Sequence, residues 1–215
     1  MGSVAAQLRQ RQWKRDSYLI STDPSLIPMD QLMAAFDSDD FYWTDSLPEE
    51  AMREMVEQSL CFGLYRVDGQ AASDAGASAE AGAEAGAGAG TPGPESRAQL
   101  HVPSPNTKLK LLGFARCVTD FITFLYLTDV WVDHDHQGGG LGSWLIRSVQ
   151  EVVEDMPHLR RSLLFTGDWD RSVPFYERLM HMQLIDCRRE SGGLAIMERK
   201  GRGHPGFGRE GTGYN

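Results

Sequence analysis

Residues 126–142 read YLTDVWVDHDHQGGGLG, and this stretch decides the fold of the chain. It begins with an apolar, partly β-branched run that is typical of a strand, and it ends in a glycine-rich turn. An amphipathic helix follows, whose apolar residues recur at helical spacing on one face: Leu141, Trp144, Leu145, Val149, Val152, Val153 and Met156. Because Pro157 ends this pattern, the sequence predicts a strand that leads through the glycine turn directly into a helix.

The remainder of the chain predicts an α+β domain with the order β-α-α-β-β-β-α-β-α-β-β. Apolar runs predict strands at residues 18–21, 60–66, 109–119, 123–132, 162–166, 182–188 and 194–199. Helical periodicity predicts helices at residues 28–36, 141–156 and 171–180, and another after Ser46 and Glu49, which have the spacing of a capping box. The short connection between 109–119 and 123–132 predicts an antiparallel hairpin. We expect a mixed, mostly antiparallel sheet of roughly six to seven strands, with helices on both faces and one parallel crossover.

Composition divides the chain into one ordered domain and three loose segments. Residues 67–107 contain the run AGASAEAGAEAGAGAG and a Pro-rich stretch, which bury too little apolar area to offset the entropy of ordering. Since this segment separates two predicted strands, we expect it to be an insertion outside the sheet of a single domain at 17–200. Residues 1–16 are predicted to form a flexible arm, and the Gly-rich residues 201–215 a flexible tail.

Charge and cysteine content narrow the range of partners. The 215 residues include 21 Lys and Arg against 30 Asp and Glu, and the formal net charge of -9 argues against nucleic acid as a partner. No apolar run approaches the roughly 20 residues of a membrane helix, so no membrane partner is expected. Cys61, Cys117 and Cys187 are scattered, which fits neither a disulfide framework nor a zinc site. We therefore expect a cytoplasmic monomer or homodimer.

The glycine turn predicts an anion site, because glycines allow close approach and the N–H groups at a helix start attract phosphate. A Walker loop requires Gly-Lys-Ser/Thr, and this turn contains no lysine. A dinucleotide fingerprint requires a third glycine where Leu145 stands, and it follows the first strand of a parallel sheet. The third alternative is a Gln/Arg-x-x-Gly-x-Gly/Ala turn for the diphosphate of coenzyme A, which Gln137, Gly140 and Gly142 fit.

The chain resembles the GNAT superfamily of acyl-CoA-dependent N-acyltransferases. Residues 126–142 look like the central strand and diphosphate loop of that family. Residues 162–182, with the sequence FYERL at 175–179, are similar to the next strand and to the helix that carries a frequent tyrosine of the family. The predicted β-α-α-β opening matches too, whereas the insertion at 67–107 departs from the compact pattern.

The resemblance implies a site for acetyl-CoA. The residues implied to bind it are Val130, Trp131, Val132, Gln137, Gly138, Gly139, Gly140, Leu141, Gly142 and Ser143. The strand end would pair through its backbone with the pantetheine arm, in a slot between two separated strands where amides polarise the thioester carbonyl. The resemblance also implies that Tyr176 donates a proton to the departing thiolate, and a purely structural aromatic in the core is the alternative.

The general base is less clearly predicted. Asp129 lies on the strand near the expected thioester, as either a base or a structural carboxylate, and Asp168 and Asp170 are further options. The alternating Asp and His residues at 133–136 have no second ligand cluster, so no metal is expected.

The acceptor is predicted from residues 37–50, which contain six acids, no base and a central aromatic group. Tyr42 and Trp43 are predicted to contact a cationic amine there, although a solvated acidic loop would have the same composition. We expect an N-acetyltransferase that moves the acetyl group of acetyl-CoA to a primary amine of a small molecule by direct attack. The alternatives are a non-catalytic acyl-CoA-binding or regulatory module and a protein or peptide N-acetyltransferase.

Overall fold

A computed structural model describes residues 2–41, 44, 46–68, 108–185 and 195–200. Its helices are α1 (Val4–Leu8), α2 (Met29–Phe36), α3 (Glu49–Gln58), α4 (Leu141–Asp155) and α5 (Ser172–Met180). Its strands are β1 (Gln12–Arg15), β2 (Tyr18–Ser21), β3 (Leu60–Asp68), β4 (Lys108–Thr119), β5 (Phe124–Val132), β6 (Arg161–Thr166), β7 (Gln183–Leu184) and β8 (Ala195–Lys200). The predicted elements are present in the predicted order within these residues.

The strands form one sheet in the order β1-β2-β3-β4-β5-β6-β8-β7. All neighbouring strands are antiparallel except β5 and β6, which α4 connects as a parallel crossover. The predicted α+β class and mixed, mostly antiparallel sheet are confirmed. The sheet has eight strands and not six to seven, because β1 was not predicted.

The N-terminal residues are ordered where the sequence predicted a flexible arm at 1–16. Residues 4–8 form α1, whose Leu8 is buried, and residues 12–15 form β1 at the edge of the sheet. Trp13 stacks on Phe62 of β3 with ring centroids 5.9 Å apart. The prediction failed because the segment has only a few apolar residues among many polar ones, and their contacts come from distant parts of the chain.

The sheet carries a separate hydrophobic core on each face. Helices α4 and α5 pack on one face, where Leu145, Val149 and Tyr176 join Leu127 and other strand residues. Helices α2 and α3 cover the other face of β2, β3 and β4. Most apolar residues of the predicted α4 stripe are buried, which explains why periodicity located this helix, although Trp144 is half-buried and Ile146, outside the stripe, is buried.

The start of α3 differs from the prediction of a capping box. Pro48 occupies the N-cap position and no side chain caps the helix. The Ser46 amide instead donates to the carboxylate of Asp37 at 3.0 Å. The acidic residues Glu49 and Glu50 in the first turn suit the positive end of the helix dipole.

Strands β3 and β4 define the ends of the predicted insertion. Val67 and Asp68 belong to β3, so the first two residues of the 67–107 segment are strand and not insertion. Asp68 pairs with Lys108 across the hairpin, which brings the two ends of the connecting chain next to each other. Residues 69–107 and 201–215 lie outside the described residues, and their predicted looseness stays a prediction.

None of the helices in the described part of the chain is long and apolar enough to cross a membrane.

Candidate active site

A gap opens between the two parallel strands at the centre of the sheet. Strands β5 and β6 pair only from Phe124 opposite Arg161 to Leu127 opposite Leu164. Beyond that point β5 follows β4 up to Val132, while β6 follows β8. The strands diverge towards their carboxyl ends, as the family resemblance implied, and this leaves one edge of β5 open to an extended ligand.

A β-bulge lies in β5 at the point where the gap begins. Phe114 pairs with Trp131 and Arg116 with Thr128, so one extra residue of β5 faces β4 between these pairs. Asp129 in this interval has a φ of 50°, in the left-handed region that residues other than glycine rarely adopt. Bulges of this kind redirect backbone groups and are often placed beside active sites.

The carboxylate of Asp129 is engaged inside the protein. Arg116 Nε donates to its Oδ2 at 2.6 Å, and the Thr128 hydroxyl donates to its Oδ1 at 3.2 Å. The Asp129 side chain is 8% exposed and that of Arg116 is 18% exposed, so the ion pair is largely shielded from water. These contacts tie the bulge to β4, which is the structural alternative considered for this residue.

The glycine turn leads into an uncapped helix N-terminus. Gly138 and Gly140 have φ values of 82° and 78°, and Gly140 is the N-cap residue of α4. No side chain makes a capping hydrogen bond there, so first-turn N–H groups of α4 remain available to a ligand. The Gln137 side chain donates from Nε2 to the carbonyl of Val132 at 2.8 Å, which ties the turn to the end of β5.

Two of these glycines are required by the backbone and one is not. Positive φ explains Gly138 and Gly140. Gly139 has no such angle, and a Cβ placed on it would meet no atom within 4 Å. The space above the turn is therefore open, and a glycine at 139 fits a site that an external group approaches closely.

Tyr176 lies on α5, within the core cluster that also contacts Val130 and Val132 of β5. Its side chain is 8% exposed and packs edge-on against Phe175 with centroids 5.1 Å apart. Burial raises the pKa of the Tyr176 phenol well above its ordinary value, and nearby Cys117 adds to the effect. Its hydroxyl forms no hydrogen bond with any described residue, so the group is protonated and has its donor unused.

The described cysteines are poor nucleophiles. Cys61 and Cys117 are buried and free, on the adjacent strands β3 and β4. Burial raises the pKa of the Cys61 thiol to about 12 and that of Cys117 well above its ordinary value. Because the thiolate is the reactive form, this supports the expectation of a reaction without a thiol intermediate. Cys187 lies outside the described residues.

The acidic segment approaches the open end of β5. Asp40 Oδ2 accepts a hydrogen bond from Trp131 Nε1 at 2.9 Å, which fixes the 3-10 turn Asp39–Phe41 against the strand. Phe41 is buried and stacks on Phe36 with centroids 4.2 Å apart. The predicted acceptor contacts Tyr42 and Trp43 lie outside the described residues.

The remaining acidic candidates make local structural contacts. Asp133 caps the 3-10 turn His134–His136 by accepting from the Asp135 amide. Asp168 accepts from the Arg171 amide at 3.0 Å before α5. No group of three or more His, Cys, Asp and Glu side chains in the described ranges is placed to hold a metal ion.

Sequence reasoning missed two arginines at this site. Arg116 is the one charged residue in the apolar run LLGFARCV. A charged residue in the middle of a buried strand indicates a partner of opposite charge, because charged side chains are seldom buried unpaired. Arg15 donates from Nη2 to the carbonyl of Gly139 at 3.1 Å. No local pattern could have connected two residues so far apart in the chain.

Comparison with known proteins agrees with this geometry. Residues 98–182 match the acetyltransferase (GNAT) family. The chain is 34% identical over 165 residues to FG08082 of Gibberella zeae, a protein named as a candidate acetyltransferase, covering 74% of this chain and 77% of the relative. The chain belongs to the GNAT family. The predicted family is thereby confirmed, and with it an acyl-CoA-dependent N-acyltransferase activity.

Solved structures support the same fold for this GNAT protein. A GNAT acetyltransferase from Streptococcus pneumoniae is 14% identical with a TM-score of 0.50, covering 85% of this chain and 99% of that one. RimL, a ribosomal L7/L12 alpha-N-protein acetyltransferase solved with coenzyme A, is 12% identical with a TM-score of 0.51, covering 90% and 99%. At these identities the likeness concerns the fold alone.

Proposed function

We propose that this GNAT protein transfers the acetyl group of acetyl-CoA to a primary amine of a small cationic molecule. The observation that carries the proposal is the position of the glycine turn. It stands at an uncapped helix N-terminus and is tied by Gln137 to the end of the strand beside the gap. A diphosphate at the turn and an extended arm along β5 would place a thioester near the bulge.

The donor would be held mainly by backbone groups. Residues 137–143 supply N–H groups for the diphosphate, and the open edge of β5 at Val130, Trp131 and Val132 supplies partners for the amides of the pantetheine arm. A backbone N–H in this part of β5 would also stabilise the negative charge that develops on the thioester oxygen.

The reaction requires one bond exchange and two proton transfers. The neutral amine forms a C–N bond to the carbonyl carbon, and the C–S bond breaks with its electron pair on sulfur. Tyr176 donates its proton to that sulfur and is reprotonated by solvent. Its hydroxyl has no partner among the described residues, and the phenol is protonated at neutral pH, as a proton donor must be.

The proton released by the amine needs an acceptor. Asp129 is the side-chain base that the sequence proposed, and it stands at the bulge. Because Arg116 and Thr128 already occupy both its oxygens, we favour a role in holding the bulge, with water taking the amine proton to solvent.

The acceptor preference rests on the charge beside the gap. Asp40 is anchored to Trp131 of β5, and the segment 37–50 carries six acids without a base. Such a surface concentrates cations and repels acidic molecules. Tyr42 and Trp43 are proposed to contact the acceptor through cation–π interactions.

Two measurements on the full chain test the proposal. Calorimetry with CoA and acetyl-CoA should show binding of both. A thiol-release assay with acetyl-CoA and polyamines, aminoglycosides, amino acids, arylamines and N-terminal peptides should then show fastest turnover with a polycationic small amine. Preference for peptides would favour a protein N-acetyltransferase. Binding without turnover on any acceptor would favour a binding module, and absence of binding would refute both.

A further inference from the structure

Arg11 and strand β1 face helix α4, and alternate side chains of this segment contact the helix or the turn before it. Arg11 Nη1 forms an ion pair with Asp155 Oδ2 at 2.6 Å, at the C-terminal end of the helix. Trp13 Nε1 donates to Glu151 Oε2 at 2.6 Å, one turn earlier. Arg15 is the next residue on this side of the strand, and it reaches the glycine turn before the helix.

The guanidinium of Arg15 is placed among the groups expected to bind phosphate. Its Nη2 donates to the Gly139 carbonyl at 3.1 Å, and its Nη1 lies 4.0 Å from the place where a Cβ on Gly140 would stand. The guanidinium carbon is 5.8 Å from the centroid of the Trp144 ring. Five N–H donors are present on an arginine side chain, so most remain available to a ligand.

Among the residues that the structure describes, no carboxylate pairs with Arg15. Arg11 forms an ion pair with Asp155 and Trp13 donates to Glu151, whereas Arg15 has no ion pair with any described residue. It also stands at the positive end of the helix dipole, where a cation is unfavourable. A cation in this position becomes favourable when an anion binds between it and the helix.

We propose that Arg15 binds a phosphate group of the acyl-CoA donor, so that the N-terminal hairpin completes the donor site. This inference rests on the proposed function of the glycine turn. Residues 137–143 contain no basic side chain, so the turn offers only backbone N–H groups to an anionic ligand. Arg15 adds the full positive charge, with a planar guanidinium group that suits phosphate oxygens.

The hairpin holds Arg15 in place before the ligand binds. Arg15 pairs with Tyr18 of β2 across a two-residue turn in which Asp16 has a φ of 51°. Trp13, two residues earlier, is fixed by its stack on Phe62 and by its hydrogen bond to Glu151. Ligand binding therefore has to order little more than the end of one side chain.

Calorimetric titration of Arg15→Gln tests the proposal, with Lys14→Gln as the matched control. Lys14 is an exposed cation on the same strand, with the same change in charge. We expect Arg15→Gln to raise the Kd for CoA by about tenfold or more, as for loss of a charged hydrogen bond, and Lys14→Gln to change it less than about twofold. Arg15→Lys should recover part of the affinity, because it keeps the charge and loses the planar group.

Ligand fragments separate binding from a structural effect. Pantetheine, measured by competition with CoA, should bind wild type and Arg15→Gln equally, because it lacks phosphate groups. 3′-Dephospho-CoA shows which phosphate Arg15 contacts. If Arg15→Gln also binds this ligand more weakly than wild type does, Arg15 contacts the diphosphate. If the two proteins bind it equally, Arg15 contacts the 3′-phosphate. Each result supports the proposal.

Three results would overturn it. In the first, wild type binds CoA and Arg15→Gln binds it with the same affinity. This result refutes the inference and leaves the proposed function intact. In the second, pantetheine is weakened as much as CoA and Tm falls, which shows that Arg15 only supports the fold. In the third, wild type fails to bind CoA, which refutes the proposed function and this inference together.

Discussion

Replacing Tyr176 with phenylalanine removes one hydroxyl from a side chain that is 8% exposed. The hydroxyl makes no hydrogen bond with the described residues, so no protein contact is lost. Because Tyr176 keeps some exposure to solvent, loss of its hydroxyl should change the free energy of unfolding by less than about 1 kcal/mol. Loss of a general acid should lower kcat by about 10²- to 10⁴-fold.

The chain offers a matched control on the other face of the sheet. Tyr65 is fully buried in the core under α2 and α3, and its hydroxyl has no hydrogen-bond partner in the described chain. Tyr65→Phe removes the same group from a core position on the opposite face of the sheet from Tyr176. We expect it to match Tyr176→Phe in stability and wild type in turnover.

The assay compares kcat, the Kd for CoA and the denaturant midpoint for wild type and both variants. Tyr176→Phe should change kcat alone, and the wild-type rate should show no loss from Tyr176 ionisation below about pH 10, because burial raises its pKa. If Tyr176→Phe kept the wild-type kcat, Tyr176 would be a core aromatic and the proposed proton donor would be wrong. Equal loss of turnover in both variants would point to a packing effect.

Four further predictions follow from single features of the structure. Gly140→Ala should lower the free energy of unfolding by about 1–2 kcal/mol, because Gly140 has a positive φ. Gly139→Ala should leave the free energy of unfolding nearly unchanged. Both variants should bind CoA more weakly than wild type in calorimetry. Asp129→Asn should cost about 3 kcal/mol in denaturant unfolding by leaving a shielded arginine unpaired, and a loss below about 1 kcal/mol would contradict the buried ion pair. Burial raises the pKa of the Cys61 thiol from 9.0 to about 12. The contribution of this thiol to stability is complete below pH 9 and should fall by about 1.4 kcal/mol per pH unit towards pH 12. Cys61→Ala should make the total fall shallower by that amount in denaturant titrations over this range. Replacing residues 69–107 with Asn-Gly should keep the fold and raise stability by about 2 kcal/mol through a shorter loop, and a chain that fails to fold would show that this segment is part of the core.

Much of the fold was predictable because its signals are local. The helical stripe of α4, the hairpin between β4 and β5 and the order of elements all follow from periodicities of a few residues. The glycine turn was predictable for the same reason. Left-handed backbone favours glycine, and the helix that follows begins at the next residue, so both signals lie in adjacent residues. The resemblance of residues 175–179 added Tyr176 to the prediction.

The parts that failed depend on residues far apart in sequence. Strand β1 forms in the predicted N-terminal arm because Trp13 packs on Phe62 and donates to Glu151. No pattern within residues 1–16 indicates these two contacts. The sequence offered Asp129 as either a base or a structural carboxylate, and only the fold shows that Arg116 is bonded to it. Side-chain protonation and partners depend on which elements meet.

The sequence alone determined that this chain builds a mixed sheet with a glycine turn at the start of a helix, since backbone conformation and amphipathic periodicity are encoded locally. Only the tertiary structure decided how far β5 and β6 diverge, that the Asp129 carboxylate is paired with Arg116, and that Arg15 lies against the glycine turn. Strand pairing, burial and electrostatic contact act between residues that are distant along the chain, so their outcome is fixed only when the whole sheet has formed.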